Sequence, residues 1–86
     1  MIELFNNNIL KVMTIFSISP GSRLNRKIIK EKTGITNIIL DKTLAQLINF
    51  KVLVKEKGFF ALNFKNAEIK WMINLVAENY ARFKQI

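Results

Sequence analysis

Four stretches of this chain carry apolar residues at helical spacing, and one short stretch between the third and fourth alternates like a hairpin. Within residues 1–18, from about Asn8 to Ser17, Ile9, Leu10, Val12, Met13, Ile15 and Phe16 leave only Lys11 and Thr14 as polar interruptions. A helix apolar nearly all round has to be buried on most sides. Asn7 or Asn8 is placed to cap its start, and Ser19-Pro20-Gly21 ends it. Arg23-Leu24 reads as a minimal strand. Asn25 is the expected N-cap of a second helix over 25–33, with Ile28 and Ile29 inward, and Gly34 stands where a left-handed residue closes it.

Gly34-Ile35-Thr36 is then a tight turn, and Thr36 is the expected cap of a third helix over 36–50. Leu40, Leu44 and Leu47 recur at i, i+4 and i+7 and stack on one face, while Asn37, Ile38, Ile39, Lys42, Gln46 and Asn49 point elsewhere. Residues 52–64 read as a hairpin. Val52 to Glu56 and Phe59 to Phe64 are rich in β-branched and aromatic residues and flank Lys57-Gly58, where Gly supplies a positive φ. Asn66 is the expected cap of a long last helix over 66–85, with Glu68 in its first turn. Ile69, Met72, Ile73, Val76, Tyr80 and Phe83 fall on one stripe of it, and Trp71, Leu75 and Ile86 fall to one side. The class expected is α+β, mostly helical, in a single domain over 1–86.

Composition narrows the function. Half of the 86 residues are apolar and 23% are charged, which is the balance of a folded domain, yet the formal net charge is +8. Residues 21–57 hold nine basic side chains (Arg23, Arg26, Lys27, Lys30, Lys32, Lys42, Lys51, Lys55, Lys57) against Glu31, Asp41 and Glu56, so +6 of the charge lies there. A polyanion is the partner class this implies. There is no His and no Cys, and the six carboxylates are scattered singly, so neither an enzyme nor a metal or other cofactor is expected. The absence of Cys fits a reducing, cytoplasmic setting. No apolar run approaches the roughly 18 residues that span a bilayer, and the opening Met-Ile-Glu-Leu-Phe-Asn lacks the marks of a signal peptide, so no membrane partner is expected.

A capped helix, a turn with Gly, a second helix and a basic hairpin together resemble the winged helix-turn-helix domains of small prokaryotic and archaeal transcription regulators, MarR-like and ArsR-like, including archaeal viral versions. The resemblance covers residues 8–64 and rests on Asn25, Ile28-Ile29, Thr33-Gly34-Ile35-Thr36, the three leucines, and Val52 through Leu62. It implies a short two-stranded wing, binding to double-stranded DNA, and the third helix as recognition helix in the major groove. By that resemblance Asn37, Ile38, Ile39, Lys42, Thr43 and Gln46 read bases, and Lys55 and Lys57 touch the backbone from the wing. Arg26 and Lys27, in the first turn of the second helix, are further phosphate contacts, with Arg23 and Thr36 beside them. The chain departs from the pattern where a Gly commonly precedes the wing; Phe50-Lys51 stand there, and Asn49 is the residue expected to turn left-handed instead. No effector motif accompanies the pattern.

The first and last helices carry more apolar surface than one core of this size covers on a single face. A homodimer through Ile9, Val12, Phe16, Trp71, Leu75 and Tyr80 is the expected outcome, with an intramolecular core covering both helices as the alternative. Ile38 and Ile39 fit contact with thymine methyl groups, or packing on the wing or another chain. A protein-interaction module docking through that pair is the alternative from a different class. RNA is a weaker fit, because no aromatic residues interleave the basic ones as stacking platforms.

Overall fold

Local capping sets both ends of α2. In the computed structural model, which describes residues 7–84 and side chains as far as residue 78, the order is α1 (Asn7–Ile18), β1 (Leu24–Asn25), α2 (Arg26–Thr33), α3 (Asn37–Asn49), β2 (Leu53–Glu56), β3 (Phe59–Leu62) and α4 (Ile69–Lys84). Asn25 Oδ1 accepts from the Ile28 amide at 2.8 Å, the expected cap of α2. Gly34 closes α2 at φ 70°, its amide donating to the Lys30 carbonyl at 2.8 Å. Thr36 precedes α3, but its hydroxyl makes no cap bond; only its carbonyl takes part, accepting from the Leu40 amide.

The C-terminal end of α3 departs from expectation. Lys51, not Asn49, takes the left-handed conformation, at φ 61°. The Val52 amide donates to the Leu47 carbonyl and the Lys51 amide to the Ile48 carbonyl, a Schellman closure with Lys51 in the position glycine usually fills. Buried Val52 and Leu47 supply the apolar contact that accompanies it. The Lys51 carbonyl then accepts from the side-chain amides of both Asn63 and Asn66, each at 3.0 Å. α4 consequently begins three residues later than foreseen. Asn66 closes a turn by accepting from the Glu68 amide, and Glu68 precedes the helix instead of lying in its first turn. At the other end of the described chain α1 already includes Asn7 and Asn8, so neither stands outside it as a cap.

The sheet has three antiparallel strands in the order β1-β3-β2: the minimal strand expected at Arg23-Leu24 forms one residue on, at Leu24-Asn25, and joins the two-stranded wing by pairing with Phe60 and Phe59. Lys57 and Gly58 both have positive φ, the two-residue turn whose twist suits a hairpin. Pairing of Leu53 with Leu62 and of Lys55 with Phe60 puts one face of the hairpin against the core, and Val54, Ala61, Glu56 and Phe59 on the other face.

α1 is the centre of the packing and touches α2, α3 and α4. Ile9, Val12, Met13 and Phe16 are fully buried there, with Ile29, Leu40, Leu44, Leu47, Leu53, Phe60, Ile69, Met72 and Val76 around them. Each such side chain contributes about 1.5–3 kcal/mol by leaving water. Three of the residues expected in a dimer interface, Ile9, Val12 and Phe16, are thereby committed to the chain's own core at 1%, 0% and 0% exposure. The reason is geometric: three neighbouring helices already surround that side of α1. Of the other three, Trp71 is exposed, Leu75 is half-buried, and Tyr80 lies outside the described side chains. Among the described residues no helix is long and apolar enough to cross a membrane.

Candidate nucleic-acid interface

α3 lies at the border of the core, packed on α1 and β2 by Leu40, Leu44 and Leu47. Thr43 belongs with them. It is 3% exposed and its hydroxyl donates to the Ile39 carbonyl at 2.8 Å, so it does not reach outward as a base contact would. Its position one helical turn from Leu40 and Leu47 is the signal that separates it from its polar neighbours. Asn37, Ile38, Ile39, Lys42 and Gln46 are all exposed. Ile38 is the most exposed large apolar residue, at 75%. At 100° per residue the line opposite the leucines runs through Ile38, Lys42, Ala45 and Asn49. Ala45 and Asn49 therefore join the outward face, and the same angular count on the sequence would have found Ala45.

The starts of α2 and α3 are tied together by one side chain. Arg26 Nε donates to Asp41 Oδ1 at 2.7 Å, and Arg26 Nη2 donates to Asn37 Oδ1 at 3.2 Å and to the Asn37 carbonyl at 3.4 Å. That bond holds the Asp41 carboxyl below its ordinary range; burial opposes the shift, and the charges of Arg26 and Lys55 assist it. Arg26 in turn is held above its ordinary value by Asp41. The one carboxylate of α3 is thus neutralised in place, and Arg26 fixes the approach of the two helices as well as adding charge.

Lys27, Lys42, Lys55 and Lys57 form no ion pair among the described residues. Lys55 instead places its ammonium 5.4 Å from the centre of the Phe60 ring, which steadies it between the hairpin and Asp41. Lys57 is exposed at the hairpin tip and Thr36 is exposed at the start of α3. Arg23 pairs across the outer sheet face with Glu56 at 3.7 Å, so part of its charge is already balanced.

No family model, curated protein or solved structure matches this chain. What its face can do follows from the residues themselves. A helix with amide, ammonium and methyl groups facing out, and with Lys55 of β2 close enough to act on its Asp41, has the donors and apolar contacts that duplex edges and phosphates accept. Among the described residues no group of three or more His, Cys, Asp or Glu is placed to hold a metal ion.

Proposed function

We propose that this chain is a winged helix-turn-helix protein that binds double-stranded DNA with sequence preference and regulates transcription as a cytoplasmic homodimer. The observation that carries the reading is the start of α3, where Asn37, Ile38, Ile39, Lys42 and Gln46 stand exposed and the only carboxylate, Asp41, is cancelled by Arg26. A polyanion meets no unbalanced negative charge along that helix. Asn37 already accepts from Arg26 through Oδ1, so it offers a base its amide donors, which match purine N7 or guanine O6 in the major groove. Lys42 suits guanine or a phosphate, and Lys27, Lys55 and Lys57 suit the backbone. The two-fold contact is proposed on the outer side of α4, around half-exposed Trp71, with Leu75 beside it.

Selection from a random duplex library with the purified protein tests this directly. The expected result is a pseudo-palindromic motif with half-sites about one helical turn apart, bound with an affinity that falls on the order of a thousandfold between roughly 50 and 200 mM salt. A flat salt response, or no recovered motif, would count against duplex reading. Ile38 and Ile39, adjacent and exposed, favour a second reading as a protein-docking module. Complexes with any DNA sequence that vanish in moderate salt would support that reading instead.

A further inference from the structure

Among the described residues α1 has one side that its neighbours leave open, and that side is a trough. Leu10 and Ile15 are half-buried and Ile18 is 68% exposed; with Leu24 of β1 they floor a groove of about 910 Å³ between α1 and the C-terminal end of α2. Asn7, Leu10, Thr14 and Ile18 line it at spacings of three and four residues, so it runs the length of the helix, about 17 Å at 1.5 Å per residue. Lys11 and Lys32 stand on its walls, one from each helix, and neither forms an ion pair among the described residues. Among the described residues no acidic side chain lines it.

We infer that this groove is a docking site for an acidic amphipathic helix of a partner protein, about three turns long. Length and chemistry agree on that occupant. An apolar ridge repeating at i, i+3, i+4 and i+7 matches a trough of this length, and carboxylates flanking the ridge match Lys11 and Lys32. The two threonines along it do not oppose an apolar ridge, because the Thr14 hydroxyl already donates to the Leu10 carbonyl at 2.6 Å and the Thr33 hydroxyl to the Ile29 carbonyl at 2.8 Å. A second copy of this chain fits poorly. A two-fold contact sets a patch against itself, and here that brings Lys11 and Lys32 onto the same lysines. The groove lies at the end of α2 away from Arg26, so its occupant does not compete with the exposed face of α3.

The test uses the full chain and a fluorescein-labelled 14-residue helical peptide with a leucine stripe flanked by glutamates. A scrambled peptide of identical composition, which destroys the stripe but keeps the charge, is the control. Fluorescence anisotropy is expected to show the striped peptide binding at least about tenfold tighter than the scrambled one, and Ile18→Glu weakening it about tenfold by removing an apolar anchor and adding a repelling charge. Lys11→Glu with Lys32→Glu is expected to weaken it less, about three- to tenfold, as exposed ion pairs do. Ile38→Glu, outside the lining of the groove, leaves it within about twofold, and unchanged circular dichroism certifies that each variant is folded. Equal binding of the scrambled peptide overturns the inference, because the attraction is then charge alone. So does loss of binding in Ile38→Glu with retention in Ile18→Glu. A change from dimer to monomer in light scattering on Ile18→Glu overturns it too, since a second copy then fills the groove.

Discussion

α1 and α3 are nearly equal in length, 12 and 13 residues, and each carries seven apolar residues, yet the chain uses them in opposite ways. α1 has α2, α3 and α4 around it and buries Ile9, Val12, Met13 and Phe16, leaving only the strip along the groove. α3 packs on one side alone. Its three leucines go inward, and Ile38, Ile39 and Ile48 stay in water beside Asn37, Lys42 and Gln46. Apolar content therefore says little about where a helix sits; the number of elements packed around it decides how much of that content is covered. An exposed isoleucine on a one-sided helix is informative because the fold offers nothing to hide it.

The sharpest way to break this contrast is to truncate one apolar side chain from each helix. Phe16→Ala is expected to cost about 3–5 kcal/mol in urea unfolding, a large part of the roughly 5–15 kcal/mol that holds a domain together. Ile38→Ala is expected to change stability by less than about 0.5 kcal/mol. Comparable costs at the two positions would mean that α3 is covered in solution.

On the exposed side, Asn37→Ala, Lys42→Ala and Gln46→Ala are each expected to weaken a selected duplex site by about 1–3 kcal/mol in electrophoretic shifts. The melting temperature stays where it was. Adding Asn49→Ala sharpens the picture, since Asn49 shares the outward line with Ile38 and Lys42. Three variants that leave the preferred sequence unaltered would remove α3 from the role of reader.

The two corners that flank α3 differ by about as much as one backbone conformation costs. Gly34 closes the entry at φ 70° without a side chain, whereas Lys51 closes the exit at φ 61° with one. Lys51→Gly is expected to stabilise by about 1 kcal/mol, raising the melting temperature by about 4–8 °C, and Gly34→Ala to destabilise by about 1 kcal/mol, both read by calorimetry. A Lys51→Gly variant that melts lower would show that the lysine side chain, and not backbone strain, dominates that corner.

The smallest effect comes from the Arg26 and Asp41 pair. Because the folded carboxyl sits below its ordinary value of 3.8, its stabilising contribution is present above that value and disappears as pH falls through the lower folded value. The difference in urea midpoint between the native chain and Asp41→Asn should accordingly shrink from pH 6 toward pH 2. A difference that persists undiminished would locate the effect of Asp41 in something other than its charge.

The order of elements, the Asn25 cap, the Gly34 closure, the leucine stripe of α3 and the Lys57-Gly58 turn were all legible in the chain, because each is settled by residues within a few positions of one another. Which partner covers a buried face was not legible. The all-round apolar character of α1 pointed to a dimer face, and packing of three helices around Ile9, Val12 and Phe16 overturned that in favour of the core. Thr43 read as polar until the core claimed its side of the helix. The left-handed position fell to Lys51, whose carbonyl accepts from Asn63 and Asn66, 12 and 15 residues on. The pairing of the minimal strand with the wing, the neutralised Asp41 and the groove beside α1 likewise join residues far apart in sequence, where local propensity carries no information and only the closed chain brings the partners together.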